Sequence, residues 1–129
     1  MGKLRFVLPL ALVAGTLAVP AALGAGAAEA IKVSGQAKLV APATVYVTVT
    51  YTCLSNAGQS FAGSGGIQLR EVGVTAVGFV SFVPVCDDRN HTETVGVPGG
   101  PYTPGTGEVF AFVCSYFCAS SPPTEVTIR

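Results

Sequence analysis

The residues best suited to chemistry gather in the run Cys86-Asp87-Asp88-Arg89-Asn90-His91-Thr92-Glu93-Thr94-Val95, which holds the sole histidine of the chain. Gathered with His91, a nitrogen donor, Asp87, Asp88, Asn90 and Glu93 offer hard oxygen donors of the kind that calcium takes. Their spacing departs from the EF-hand loop, and Asp and Asn favour turn geometry, so the run reads as a solvated turn leading into a strand. A nucleophilic triad would need His91 beside an acid and a serine, yet no Gly-x-Ser-x-Gly elbow is present. Gly63-Ser64-Gly65-Gly66 has the composition of a phosphate-cradling loop but lacks the lysine and the helix that complete one. Asn90-His91-Thr92 spells a glycosylation acceptor. No catalytic residue, metal site or cofactor is expected, and the chain is read as a non-enzyme.

Cysteine is the other reactive type. Cys53, Cys86, Cys114 and Cys118 allow three connectivities. The expected pairing is Cys53–Cys86 with Cys114–Cys118, the second closing a tight ring around Ser115-Tyr116-Phe117. The competing bridge, Cys53–Cys114, would resemble the one between antibody sheets. Against it, no Trp is available to pack on the bridge, and Phe112 stands where a tyrosine corner would place Tyr. Paired cysteines leave no free thiol for catalysis.

Contact residues are sought on loops, because aromatics on rigid loops contribute contact area at low entropic cost. Tyr102 lies in the Pro98-Gly99-Gly100-Pro101-Tyr102-Thr103-Pro104-Gly105 loop, and Tyr116 and Phe117 lie in the small ring. These three are the candidate binding residues. The competing reading turns Phe117 back to cap the core and lays Tyr102 over a sheet end.

The elements that must position these groups are strands. The chain has 129 residues, half of them hydrophobic and few charged, with seven basic and seven acidic side chains. That balance disfavours nucleic acid and anionic membrane surfaces as partners. Residues 1–30 form a separate segment: Lys3 and Arg5, then an apolar run from Phe6 to Val19, then small residues to Ala30. This is the layout of a helical secretory signal peptide. Ala25-Gly26-Ala27 and Ala28-Glu29-Ala30 both write cleavage motifs, which places the cut near residues 27 to 30. Residues 31–129 then form one exported domain, with no membrane attachment after cleavage, and four cysteines suit that oxidising setting.

The organising strand is Thr44-Val45-Tyr46-Val47-Thr48-Val49-Thr50-Tyr51-Thr52-Cys53. Val45, Val47, Val49, Tyr51 and Cys53 share one face and the threonines with Tyr46 share the other. Ile31–Val40 alternates loosely before it, and Ala41-Pro42-Ala43 makes the turn between them. The segment from Leu54 to Gly66 reads as a loop, with Phe61 the only large apolar residue after Leu54. Ile67–Val72 is a short strand. Val74–Cys86 is a long run with apolar residues on both parities, which implies burial on both sides or a bulge. Arg89–Val97, Gly107–Cys114 and Glu125–Arg129 complete the set. About seven short strands separated by turn signals indicate an all-β, antiparallel, immunoglobulin-like β-sandwich stabilised by disulfides.

The signal segment, Val49-Thr50-Tyr51-Thr52-Cys53, the run from Val85 to Val95, the Pro-Gly loop and Val126-Thr127-Ile128-Arg129 together resemble small secreted actinobacterial proteins with immunoglobulin-like domains of unassigned function. That resemblance implies a sandwich and export, and carries over no active residue. A weaker likeness is to the apoproteins of enediyne antibiotics, in size, export, paired disulfides and a short Cys-bounded loop. The expected function is an extracellular binding module, acting as a monomer on an unknown protein, glycan or small molecule. The alternatives are an antibiotic-type carrier, which needs a deep apolar cleft, and a protease inhibitor, whose protruding loop would be Gly99 to Gly107.

Overall fold

A computed structural model describes residues 28–40 and 43–129. The signal segment up to residue 27 and the Ala41-Pro42 part of the first turn lie outside them. Ten strands follow in order: β1 (Ala30–Val40), β2 (Thr44–Thr52), β3 (Phe61–Ala62), β4 (Ser64–Glu71), β5 (Val77–Phe82), β6 (Val85–Cys86), β7 (Asn90–Pro98), β8 (Gly105–Cys114), β9 (Cys118–Ser120) and β10 (Thr124–Ile128). The order of hydrogen-bonded neighbours is β5-β4-β8-β10-β1-β2-β7. This path doubles back where β1 meets β10, giving β1-β2-β7 packed face to face on β5-β4-β8-β10. Cross-layer contacts run between β5 and β7, between β1 and β8 and between β4 and β7. The β1-β2-β7 and β4-β8-β10 neighbour orders are those of an immunoglobulin-like sandwich.

β1 belongs to both layers. It pairs antiparallel with β2 along most of its length, with a register shift between Val33 and Ala37. At the end of that irregularity Gln36 pairs with Thr127 of β10 and Ala37, already paired with Val47, pairs also with Ile128, and this pairing is parallel. A bulge bends its strand and increases the local twist, which lets one strand serve two sheets. This is the one departure from the antiparallel pattern among the pairings of the described strands.

The alternation of β2 sets the core. Val45, Val47, Val49, Tyr51 and Cys53 are buried to 1% exposure or less. They meet Ile67 and Leu69 of β4, Val109, Ala111 and Val113 of β8, and Val126 and Ile128 of β10. Burying each such aliphatic side chain contributes about 1.5–3 kcal/mol before entropy is counted. The disulfides join Cys53 to Cys86 and Cys114 to Cys118. The first is fully buried at both ends and ties β2 to the segment before β7. Closing a loop of that length restricts the unfolded chain by about 4 kcal/mol in the loop-entropy model.

Three elements differ from their sequence reading. The run from Val74 to Cys86 divides into β5 and β6, and β5 is an edge strand neither buried on both sides nor bulged. Its outward residues stay in solvent, with Val77 at 47% and Phe79 at 54% exposure. The glycine-rich stretch before Ile67 is strand rather than loop, because β4 starts at Ser64 and pairs on both edges, with β5 and with β8. The domain also starts earlier than residue 31, since β1 begins at Ala30 and Glu29 bonds into the body of the fold.

Gly63 sits where the two bridges approach each other, and a Cβ there would strike the Cys114 carbonyl and the Cys86 Sγ. Gly35, beside the β1 irregularity, has open space around the same position. Gly63→Ala is therefore expected to destabilise the domain by about 1–3 kcal/mol, and Gly35→Ala to stay within about 0.5 kcal/mol of wild type, both read by urea unfolding. Equal effects would contradict this packing.

Candidate functional site

The small disulfide ring closes the end of β8. Cys114 and Cys118 are opposite one another as β8 turns into β9, so Tyr116 and Phe117 occupy the tip of a hairpin corner. Neither turns inward: Tyr116 is 71% and Phe117 70% exposed. The reading that folds Phe117 back over the core does not describe this geometry. Phe61 of β3 lies against Tyr116, with ring centroids 5.6 Å apart.

The ring is held from beneath by a residue the sequence reading missed. The Glu29 carboxylate accepts from the Ser115 amide at 2.9 Å and from the Ser115 hydroxyl at 2.7 Å. It also accepts from the Leu54 amide at 3.3 Å, immediately after Cys53. One side chain thus links the entry of β1, the end of β2 and the ring. Assigned to a signal segment, Glu29 carried no local signal of this role. Inside the ring, Ser115 donates its amide to the Phe117 carbonyl at 2.8 Å, and the Phe117 amide donates back to the Ser115 hydroxyl.

The same corner continues down the outer face of the four-stranded layer. Phe110, Phe112 and Cys114 alternate along β8 on one side. A Cβ on Gly66 of β4 would meet the Phe112 ring at 2.6 Å and the Phe79 ring at 2.9 Å, so the two rings converge over that glycine. Phe110 remains 39% exposed. Beside it a groove of about 270 Å³ is lined by Gln68, Arg70, Glu108 and Pro123. Arg70 and Glu108 pair there at 2.6 Å in solvent, a contact worth about 0–1 kcal/mol.

Tyr102 is not part of this surface. It is 2% exposed and belongs to the core. Its hydroxyl donates weakly to the Pro98 carbonyl at 3.4 Å, and burial, with Glu71 nearby, raises its pKa. The loop around it is tied down as well. Thr103 donates its amide and hydroxyl to the buried Glu71 carboxylate at 3.1 and 2.6 Å. The Gly99–Gly107 segment is thus anchored through Tyr102 and Thr103, its end from Gly105 to Gly107 is already β8 paired with β10, and Pro101, Thr103 and Pro104 stay exposed.

The chemistry-bearing cluster is divided among three structural duties. Asp87 bonds His91 Nε2 at 2.8 Å, whereas Asp88 accepts from the Ser55 amide and hydroxyl at 2.8 and 2.7 Å. Asp88 has φ 68°, a left-handed conformation that Asp tolerates. Glu93 points instead at the Tyr51 hydroxyl, which donates to it at 2.8 Å and accepts from the Val85 amide at 2.9 Å. Burial, opposed by the Val85 contact and reinforced by Glu93, pushes the Tyr51 pKa up to about 12. His91 stacks on Tyr51 with centroids 5.4 Å apart. Among the described residues, no group of three or more His, Cys, Asp or Glu side chains is arranged to hold a metal. Among the described residues no serine hydrogen-bonds His91, whose Nε2 is taken by Asp87, and Ser55 is engaged with Asp88.

Comparison with protein-family models and with curated proteins gives no match for the chain.

The two aspartates generate a pH prediction. The His91 bond, aided by the Arg89 amide, holds Asp87 below the usual carboxylate range, and the Ser55 bonds do the same for Asp88. A depressed folded pKa gives stability that is present above the unfolded value of about 3.9 and is lost as pH falls through the folded value. The double variant Asp87→Asn/Asp88→Asn should therefore flatten the fall of the unfolding midpoint between about pH 4 and pH 2. An acid limb identical to wild type would contradict these assignments.

Proposed function

We propose that the chain is an exported, non-catalytic binding module whose contact surface is the aromatic corner formed by Tyr116, Phe117 and Phe61. The observation that carries this reading is the exposure of Tyr116 and Phe117, 71% and 70%, on a ring fixed by a disulfide and by Glu29. Large aromatics outside the core, on a pinned loop, are what a low-entropy contact surface requires. The outer-face rings of Phe79, Phe110 and Phe112 extend the same apolar strip. Two disulfides are compatible with an oxidising extracellular setting.

A carrier reading has less support. The grooves beside Phe110, Tyr46 and Thr50 are open at the surface rather than deep clefts, and the interior between the layers is filled by aliphatic and aromatic residues. An inhibitor reading has less to offer as contact, since the aromatic of the Gly99 to Gly107 loop, Tyr102, is buried and Gly105 to Gly107 are paired in β8. A hydrolase reading finds no support among the described residues, where His91 pairs with Asp87 and Ser55 with Asp88.

Export also implies a specific processed end. A cut after Ala27 keeps Glu29, whereas a cut after Ala30 removes it and leaves the Leu54 amide without that partner. The exported protein is expected to begin at Ala28, read by intact-mass spectrometry of culture supernatant; a start at Ile31 would contradict the role given to Glu29. For the contact surface, Tyr116→Ala/Phe117→Ala should leave the unfolding free energy within about 0.5 kcal/mol of wild type. The same variant should lose a partner that the wild-type protein retains in affinity capture from supernatant. Equal retention, or an equal fall in stability, would return these rings to a structural role.

A further inference from the structure

Basic side chains are distributed unequally over the folded domain. After Ala30 the chain carries Lys32, Lys38, Arg70, Arg89 and Arg129. Arg70 is paired with Glu108 on the four-stranded layer, and Arg89 follows the two aspartates. Lys32 and Lys38 stand on the outward side of β1. The parallel pairing brings Arg129 beside them: its amide donates to the Ala37 carbonyl at 3.1 Å and its carbonyl accepts from the Leu39 amide at 2.7 Å. No outward position of β1, β2 or β7 holds an acidic side chain. Among the described residues none of these three cations makes an ion pair.

The face between the cations is lined with hydroxyls. Thr48 and Thr94 bond across β2 and β7 at 2.9 Å, Thr50 and Thr92 at 3.1 Å, and Thr52 bonds Asn90. Each hydroxyl pair uses one proton internally and leaves a second proton and lone pairs for a ligand. Tyr46 opens this row. It stands opposite Gly96, where a Cβ would meet the ring at 3.0 Å, so the ring lies across the strand that the glycine leaves bare. A glycine inside a strand marks such a close approach. Tyr46 is 39% exposed and offers one flat ring at the surface.

Two shallow recesses follow this face. One of about 500 Å³ is bordered by Gln36, Lys38, Tyr46, Thr48, Thr94 and Arg129. The other, of about 390 Å³, is bordered by Lys32, Thr50, Thr52 and Asn90 among others. From Tyr46 to Thr52 the row spans about 20 Å of strand.

We infer that the outer face of β1-β2-β7 is a binding site for an extended acidic saccharide, a uronate-bearing chain. One ring suits the apolar face of a sugar, paired hydroxyls suit its alcohols, and cations at both ends suit carboxylates spaced along it. A single-stranded nucleic acid would call for a series of stacking rings, and this face has one. The inference goes beyond the aromatic-corner reading, which uses other residues, so either can fail alone.

The test is an NMR titration of the folded protein with a galacturonate hexamer, with maltohexaose and a short single-stranded DNA as comparators. The amides of Lys32, Lys38, Tyr46, Thr48, Thr50 and Thr94 should shift with the uronate, and the affinity should fall with added salt. Lys38→Gln and Tyr46→Ala, both at exposed positions, should each weaken it by about fivefold to tenfold, while Tyr116→Ala leaves it unchanged. Absence of shifts, equal binding of the neutral sugar, or shifts centred on Tyr116 and Phe117 would overturn the inference. Tighter binding of the DNA would overturn it in favour of nucleic acid.

Discussion

The candidate corner depends on a single cross-connection, made where β2 ends. Cys53 is fully buried and bridged to Cys86. Beside it the Glu29 carboxylate accepts from Leu54 and from Ser115. The long disulfide fixes where β2 stops and the short one fixes where β8 turns. Glu29 fastens the two stops together. A domain of roughly 100 residues has little stability margin, so covalent and charge-assisted restraints determine whether an exposed loop keeps one shape. The ring is built from both, and that leaves Tyr116 and Phe117 outside the core, with Tyr116 against Phe61.

Division of labour between the two layers follows from strand periodicity. Every strand crossing the core commits one parity to burial, and the other parity is free to vary. On β2 that free side is threonine and tyrosine, and with Lys32, Lys38 and Arg129 it makes a polar, basic face. On β8 the free side is Phe110, Phe112 and Cys114, continuing into the ring. Nearly balanced overall charge conceals this difference, since composition averages over two surfaces that point in opposite directions.

Much of the fold was legible in the sequence for the same reason. The alternation from Thr44 to Cys53 needed no tertiary information, and the cysteine spacing pointed to the two bridges that form. What failed to show locally was context. Whether the apolar residues of Val74 to Cys86 are buried depends on what covers the outward face of β5, and Val77 and Phe79 stay exposed there. Gly65 and Gly66 look like loop residues, yet they are in β4 because the Phe82 ring approaches one and the Phe79 and Phe112 rings the other. Tyr102 looked like a loop contact, and the buried Glu71 that draws its loop inward lies some thirty residues earlier in the chain. Short β9 and the carboxylate of Glu29 act through partners far away in sequence, where no pattern within a window reaches. Of the three candidate contact residues, Tyr116 and Phe117 are at the surface and Tyr102 is not.

The central claim is that the aromatic corner is preorganised, an ordered surface rather than a mobile loop. Backbone ¹⁵N relaxation of the folded protein tests it most directly. Order parameters of about 0.85 at Ser115, Tyr116 and Phe117, matching Val47 in the core strand, are the predicted result. Values below about 0.6 at these three residues, with Val47 still rigid, would contradict it.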